Sequence, residues 1–349
     1  MSFDRLQEKI DKMRNPTVVG LDPELGHIPP QILEKHIKEK GETLEAAAAA
    51  VFEFNTGLID ALCGIVPAVK PQSAYYEALG PEGVRVLKMT CDYAKSKGMF
   101  VICDVKRNDI GTTAQAYSAA YLGAVKVGGA DLRPFDADAI TINAYLGSDG
   151  IKPFIEAAVK YDKAVFALVR TSNPSAGELQ DLFAAKQGEG AKQGEAKQGD
   201  GSSAWQQAEE PSPCLAPSPC LESPCLAPSP CLANRLYTAV GDLIEELSRD
   251  TIGKYGFTRL GAVVGATYPE EAEFLRERLK HTFFLVPGYG AQGGSAAEAR
   301  RSFNKDGRGA IVNSSRGIIA AWKKTGGDYK EAAYAEAQRM RDDLRGALS

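Results

Sequence analysis

A (β/α)8 TIM barrel is the fold class this 349-residue sequence predicts, on three observations. Eight short apolar, partly β-branched runs recur along the chain, each followed by a helical pattern or by a loop and a helical pattern. No Gly-x-Gly-x-x-Gly follows the first run, so an open doubly wound sheet fits less well. Charged and polar residues gather where the runs end, the edge at which such barrels carry their chemistry.

Phe3, Leu6, Ile10 and Met13 recur at helical spacing, giving a small amphipathic helix without the apolar region of a signal peptide. Residues 17–22 form the first strand, followed by a proline-rich turn around Pro23 and Pro29-Pro30. A helix over about 43–63 precedes the second strand, 65–70, and a helix over 81–97 precedes the third, 100–103. A helix over about 113–127 leads to the fourth strand, 139–143, and a helix over 153–161 to the fifth, 164–170. Alternation resumes after residue 234 with a helix over 236–255, the sixth strand 260–264 and a helix over 269–279. The seventh and eighth strands are 283–287 and 310–313. Ala333, Ala337, Met340, Leu344 and Leu348 form the apolar stripe of a last helix.

The pattern breaks between the fifth and sixth strands. Residues 185–233 hold three near-copies of Ala-Lys-Gln-Gly-Glu/Asp, then four of Ser-Pro-Cys-Leu. Such low-complexity sequence buries too little apolar surface to order itself, so it reads as an insertion into a single barrel made of 1–184 and 234–349. Cys214, Cys220, Cys225 and Cys231 are spaced too widely for the close cysteine pairs of zinc sites, and no histidine lies nearby.

Composition narrows the function. A chain that is 44% hydrophobic and 25% charged suits a globular enzyme with ample core, and a net charge of −4 argues against a nucleic-acid binder. No apolar run approaches the roughly 20 residues of a membrane span. Cys63, Cys91 and Cys103 are scattered, as buried thiols are in a reducing cytoplasm.

The strand ends carry the chemical signal. Asp104, Lys106 and Asp109 follow the third strand within six positions, and residues two apart on a strand share a face. By spacing alone, Asp104 and Lys106 read equally as a surface ion pair at a strand end. The remaining ends supply Asp22, Lys70, Asn143 and Ser172. After strand seven comes Pro287-Gly-Tyr-Gly-Ala-Gln-Gly-Gly294, and after strand eight Asn313-Ser-Ser-Arg-Gly317. Glycines let backbone N–H groups close on an anion, and Arg316 offers a planar donor fork. These are the two loops that frequently hold phosphate in such barrels, which points to a phosphorylated substrate.

These segments are specific enough to resemble a known family. Asp104-Val-Lys106-Arg-Asn-Asp109-Ile-Gly-Thr-Thr113, Val69-Lys-Pro-Gln-Ser-Ala-Tyr-Tyr-Glu77, Thr141-Ile-Asn-Ala-Tyr-Leu-Gly147, Thr171-Ser-Asn-Pro174, Pro287-Gly-Tyr-Gly-Ala-Gln292 and Ser315-Arg-Gly317 together resemble the orotidine 5′-phosphate decarboxylases, in particular their longer bacterial branch. The 185–233 insertion has no place in that pattern, and Asn143 stands where some shorter relatives have histidine, so it receives no role. The resemblance implies decarboxylation of orotidine 5′-phosphate to uridine 5′-phosphate, the last step of pyrimidine nucleotide synthesis, with no cofactor and no metal. It implies Lys106 as proton donor to ring carbon 6, Asp104 beside the departing carboxylate, and Lys70 and Asp109 completing the charge array. Asp22 and Lys70 would bind ribose hydroxyls, Ser172 the pyrimidine, Gln292 pyrimidine and phosphate, and Arg316 the phosphate. Asp109 and Thr113 would reach across a homodimer interface into the partner's site.

Two rivals remain at this stage. Magnesium-dependent sugar-phosphate decarboxylases and hexulose-phosphate synthases share Asp-x-Lys-x-x-Asp but resemble enzymes with a glutamate at the end of strand two, where this chain has Lys70, which would repel a metal ion. A non-catalytic phosphate-binding scaffold, with the Ser-Pro-Cys-Leu repeats for docking, is the other. An intact cluster of charges in a cleft argues against it, because such charges are costly to keep.

Overall fold

In the computed structural model the structure describes residues 1–184, 230–290 and 293–349. The repeats up to residue 229, with three of the four repeat cysteines, and Gln292 lie outside these residues, as does the side chain of Cys231. Eight parallel strands close into a barrel: β1 (Thr17–Leu21), β2 (Ala68–Pro71), β3 (Phe100–Arg107), β6 (Ala139–Ile142), β7 (Ala164–Arg170), β8 (Leu260–Val264), β9 (Phe284–Val286) and β10 (Ala310–Ser314). The sheet runs β1 to β10 in chain order and closes through pairing of Val18 with Asn313. An antiparallel hairpin of β4 (Val125–Val127) and β5 (Ala130–Leu132) stands outside the barrel.

Strand alternation divides the apolar residues into two cores. Outward-facing Val19, Val69, Val101, Ile140, Val165 and Val312 pack under the surrounding helices in the larger one. Inward-facing Val18, Ala68, Phe100, Ile102, Phe166, Phe283 and Ile311 fill the barrel's N-terminal half. The first helix, Ser2–Met13, joins this inner core through Phe3, Leu6 and Ile10 and closes the barrel's lower mouth. The Phe3 ring stacks on Phe283 with centroids 5.0 Å apart and tilts against Phe166 at 4.9 Å.

Several expectations needed correction. The proline-rich turn holds an 11-residue helix, Pro30–Lys40, because Pro30 occupies the first helical position, where a missing N–H is harmless. The helix after β3 is Gly111–Tyr121, and the β4–β5 hairpin occupies the end of the expected 113–127 span. Pro153 lies inside the helix Ser148–Tyr161 rather than starting it. The helix expected to reach residue 255 ends at Ser248 in a 3-10 turn. Cys91 and Cys103 are buried, but Cys63 is half-exposed.

The described chain on either side of 185–229 meets in a short antiparallel neck. Phe183 bridges Arg235, the Ala184 N–H donates to the Asn234 carbonyl at 2.8 Å, and the Leu236 N–H donates to Leu182 at 2.8 Å.

The inner aromatic core should dominate stability. Phe283→Ala removes a fully buried ring contacting Phe3, Phe166 and Phe257, and should lower the unfolding free energy by about 3–5 kcal/mol in guanidinium titrations.

Candidate active site

The same alternation that fills the lower barrel builds the site above it. Continuing two residues at a time from Val18, Ala68, Ile102, Ala139, Phe166, Leu285 and Ile311 reaches Asp22, Lys70, Asp104, Thr141, Leu168, Pro287 and Asn313. All seven line one cavity of about 650 Å³ at the C-terminal ends of the strands. Lys106, Ser172 and Arg316 line it too.

Asp104 is the centre of the polar wall. Its Oδ2 accepts from Lys70 Nζ at 2.6 Å and from Gln72 Nε2 at 2.9 Å. Its Oδ1 accepts from Lys106 Nζ at 2.6 Å and from Thr141 Oγ1 at 2.8 Å. Asp104 and Lys70 are each only 5% exposed. Burial alone would raise the Asp104 pKa, but the Lys70 and Lys106 ammonium groups outweigh it and hold the carboxyl well below the usual range. Burial likewise works against the Lys70 ammonium, and Asp104 with Asp22 more than reverses it, raising its pKa.

Lys106 reaches Asp104 through a distorted backbone. The β3–β6 register shifts between Cys103 and Arg107, and Lys106 adopts φ 45°, the left-handed region. For a residue with a Cβ this costs on the order of 1–3 kcal/mol. The Lys106 N–H, donating to Thr141 Oγ1 at 3.0 Å, helps to hold it there. The result leaves the Lys106 side chain 46% exposed to the cavity side while its counter-ion stays buried.

The eighth-strand loop brings Arg316 to the cavity beside Ser315, whose hydroxyl accepts from Asn313 Nδ2 at 3.2 Å. Ser315 lies over Gly20 of β1, where a Cβ would come within 1.8 Å of its Oγ, so only glycine leaves room. The seventh-strand loop corrects one expectation. The N–H groups of Gly290, Gly293 and Gly294 donate to carbonyls of Gly294, Gly290 and Gly288, so these three shape the loop rather than cradle an anion. Leu168, Val263 and Leu285 give the cavity an apolar patch. Ser172 packs against Gly265, where an added Cβ would lie 2.9 Å from the serine Cβ.

Asp109 and Thr113 stand outside this chain's cavity; Asp109 is half-buried and Thr113 exposed at the start of the helix Gly111–Tyr121. Asn143 is also outside it, its Oδ1 accepting from the Tyr145 N–H. Several wall residues carried no sequence assignment: Gln72, Thr141, Glu24, His27, Tyr75, Gln180 and Asn313. Gln72 and Thr141 were detectable as residues two beyond Lys70 and Ala139 on their strands.

A parallel eight-stranded barrel with lysine-bound carboxylate and arginine in one cavity at its C-terminal face defines a class: barrel enzymes acting on small anionic substrates. Comparison with known proteins narrows it. Residues 47–211 match the family described as Orotidine 5′-phosphate decarboxylase / HUMPS. A protein named orotidine 5′-phosphate decarboxylase from Rhodopirellula baltica is 37% identical over 337 residues, covering 95% of this chain and 94% of the relative. One of the same name from Caldicellulosiruptor bescii is 35% identical over 347 residues, covering 99% and 98%. The solved structure of Leishmania donovani OMP decarboxylase superposes with a TM-score of 0.64 at 26% identity, covering 99% of both chains. This chain belongs to the orotidine 5′-phosphate decarboxylase / HUMPS family.

The depressed Asp104 pKa fixes the sign of a pH effect. Its contribution to stability is complete above the unfolded carboxylate value near 4 and is lost as pH falls toward the lower folded value. Denaturant midpoints should therefore drop below about pH 4, and drop less steeply in Asp104→Asn.

Proposed function

We propose that this protein decarboxylates orotidine 5′-phosphate to uridine 5′-phosphate and carbon dioxide, completing pyrimidine nucleotide synthesis, without metal or organic cofactor. The observation that carries this reading is the Asp104 carboxylate held at 2.6 Å by both Lys70 and Lys106 in a cavity that also presents Arg316. Family membership supports it, as do relatives that bear this activity in their names.

Loss of carbon dioxide from ring carbon 6 leaves a lone pair in the ring plane, which cannot spread into the π system. Stabilisation then has to come from fixed charges aimed at that carbon. The Lys106 ammonium is the available charge: it pairs with the developing carbanion and delivers its proton to carbon 6. Asp104 stands beside the departing carboxylate, and the repulsion between them ends as carbon dioxide leaves. Lys70 neutralises Asp104 on its other oxygen and, with Asp22, binds ribose hydroxyls. Ser172 meets the pyrimidine, and Arg316 with Gln292 the phosphate, whose remote binding draws the loops over the site.

The magnesium-dependent rival is disfavoured by Lys70, whose ammonium occupies the end of the second strand and would face the metal. We further infer a homodimer in which Asp109 and Thr113 complete the partner's site. Both sit beside exposed apolar side chains in sequence, Ile110 before Thr113 and Val125, Val127 and Leu132 after it, a surface suited to burial against a second copy. The barrel of 1–184 and 234–349 carries the activity in this reading, with 185–233 as an addition. Its place is the cytoplasm; among the described residues no helix is long and apolar enough to cross a membrane.

An ultraviolet assay with no added metal should show loss of orotidine 5′-phosphate, unchanged by excess chelator. In Lys106→Ala turnover should fall by at least about 10³-fold. Loss of wild-type activity to the chelator would instead favour the magnesium enzyme. Mixing Lys106→Ala with Asp109→Ala chains should restore part of the activity, because one site of the mixed dimer has both native residues. No recovery in a verified mixed dimer would mean each site is built from one chain.

A further inference from the structure

We propose that Arg170 is a positioning residue for the base-binding wall of this site, setting the place of Ser172 without touching substrate; this rests on the functional reading above. By alternation from Phe166 and Leu168, Arg170 should face into the barrel. The β7–β8 register shifts between Leu168 and Arg170, and its side chain is absent from the cavity wall. It is instead 1% exposed, a buried cation that the chemistry does not use.

Its surroundings explain what it does. The guanidinium lies 3.9 Å from the centroid of the Tyr268 ring and 5.2 Å from that of Tyr237. Its Nη1 is 3.1 Å from Asp181 Oδ1 and its Nη2 3.5 Å from Glu271 Oε1. Asp181 ends the loop that begins at Thr171, so the ion pair ties the two ends of that loop together. Gln180 makes a second tie: its Oε1 accepts from the Thr171 N–H at 3.0 Å, and its Nε2 donates to Thr171 Oγ1 at 2.7 Å. The Tyr268 hydroxyl, on the ring that stacks on Arg170, donates to the Asn173 carbonyl at 3.4 Å. The Arg170 carbonyl accepts from the Gly265 N–H at 2.8 Å, and Gly265 is the surface on which Ser172 packs.

Burying a guanidinium carries a desolvation penalty that its partners must offset, and lysine could not reproduce a flat group stacked between rings and forked toward two carboxylates. The loop it holds contributes Thr171, Ser172, Asn173 and Gln180 to the cavity, whereas Arg316 enters from the eighth strand. Loosening Arg170 therefore disturbs recognition of the base and leaves the phosphate end in place.

The test compares two competitive inhibitors of the full-length enzyme, uridine 5′-phosphate and ribose 5-phosphate, which lacks the base. Arg170→Met should weaken uridine 5′-phosphate about tenfold or more and leave ribose 5-phosphate within about twofold, a loss of base-dependent binding alone. Asp181→Asn, at a partly exposed position, should move in the same direction and decides the matter if Arg170→Met does not fold. Equal weakening of both inhibitors, or no change in either, overturns the positioning role. A wild-type protein that does not prefer uridine 5′-phosphate would overturn the functional reading itself, before any variant is compared.

Discussion

The double hold on Asp104 is the constraint on which the site depends. One nearly buried carboxylate serves two ammonium groups from adjacent strands, with Gln72 and Thr141 taking its remaining acceptor capacity. Removing either lysine would leave one oxygen of a nearly buried carboxylate without its cation, and removing the carboxylate would leave two cations facing each other. The closed barrel makes the arrangement possible, because it sets β2, β3 and β6 side by side. β3 then supplies Asp104 and Lys106, β2 and the residue after it Lys70 and Gln72, and β6 Thr141.

Preorganisation follows from that geometry. Asp104 holds the Lys106 ammonium in place, so in the proposed reaction no charge has to be reoriented as negative charge develops. The left-handed backbone at Lys106 places strain at the proposed proton donor, balanced by the surrounding strand pairing and the Thr141 hydroxyl. Below it, the rings of Phe3, Phe166 and Phe283 pack against one another out of contact with solvent. The same eight strands therefore carry stability at one end and chemistry at the other.

What could be read from the sequence was whatever obeyed a short period. The eight strands, their inward parity and the convergence of Asp22, Lys70 and Asp104 follow from alternation, while Lys106, Ser172 and Arg316 were marked only by where each run stops. Features that break a period were hidden. The bulges at 103–107 and 168–170 change which way a side chain points, and only pairing with a neighbouring strand reveals them. Arg170 looked like an ordinary strand terminus for this reason. The helix Pro30–Lys40 was obscured by its own proline, which marks a turn and a helix start equally well. Whether Asp109 and Thr113 act is not a property of one chain's alternation at all, since neither lines that chain's cavity.

The neck at Phe183 and Arg235 has a practical corollary. Backbone hydrogen bonds there already hold residues 182–184 and 234–236 side by side, so the two points where the barrel chain leaves and returns are neighbours. The entropy of closing a tether between them grows only logarithmically, by about 0.6 kcal/mol for each doubling of its length. The junction is thus a docking port for genetic cargo: a reporter or affinity module with neighbouring termini could be spliced in between with minor thermodynamic consequence.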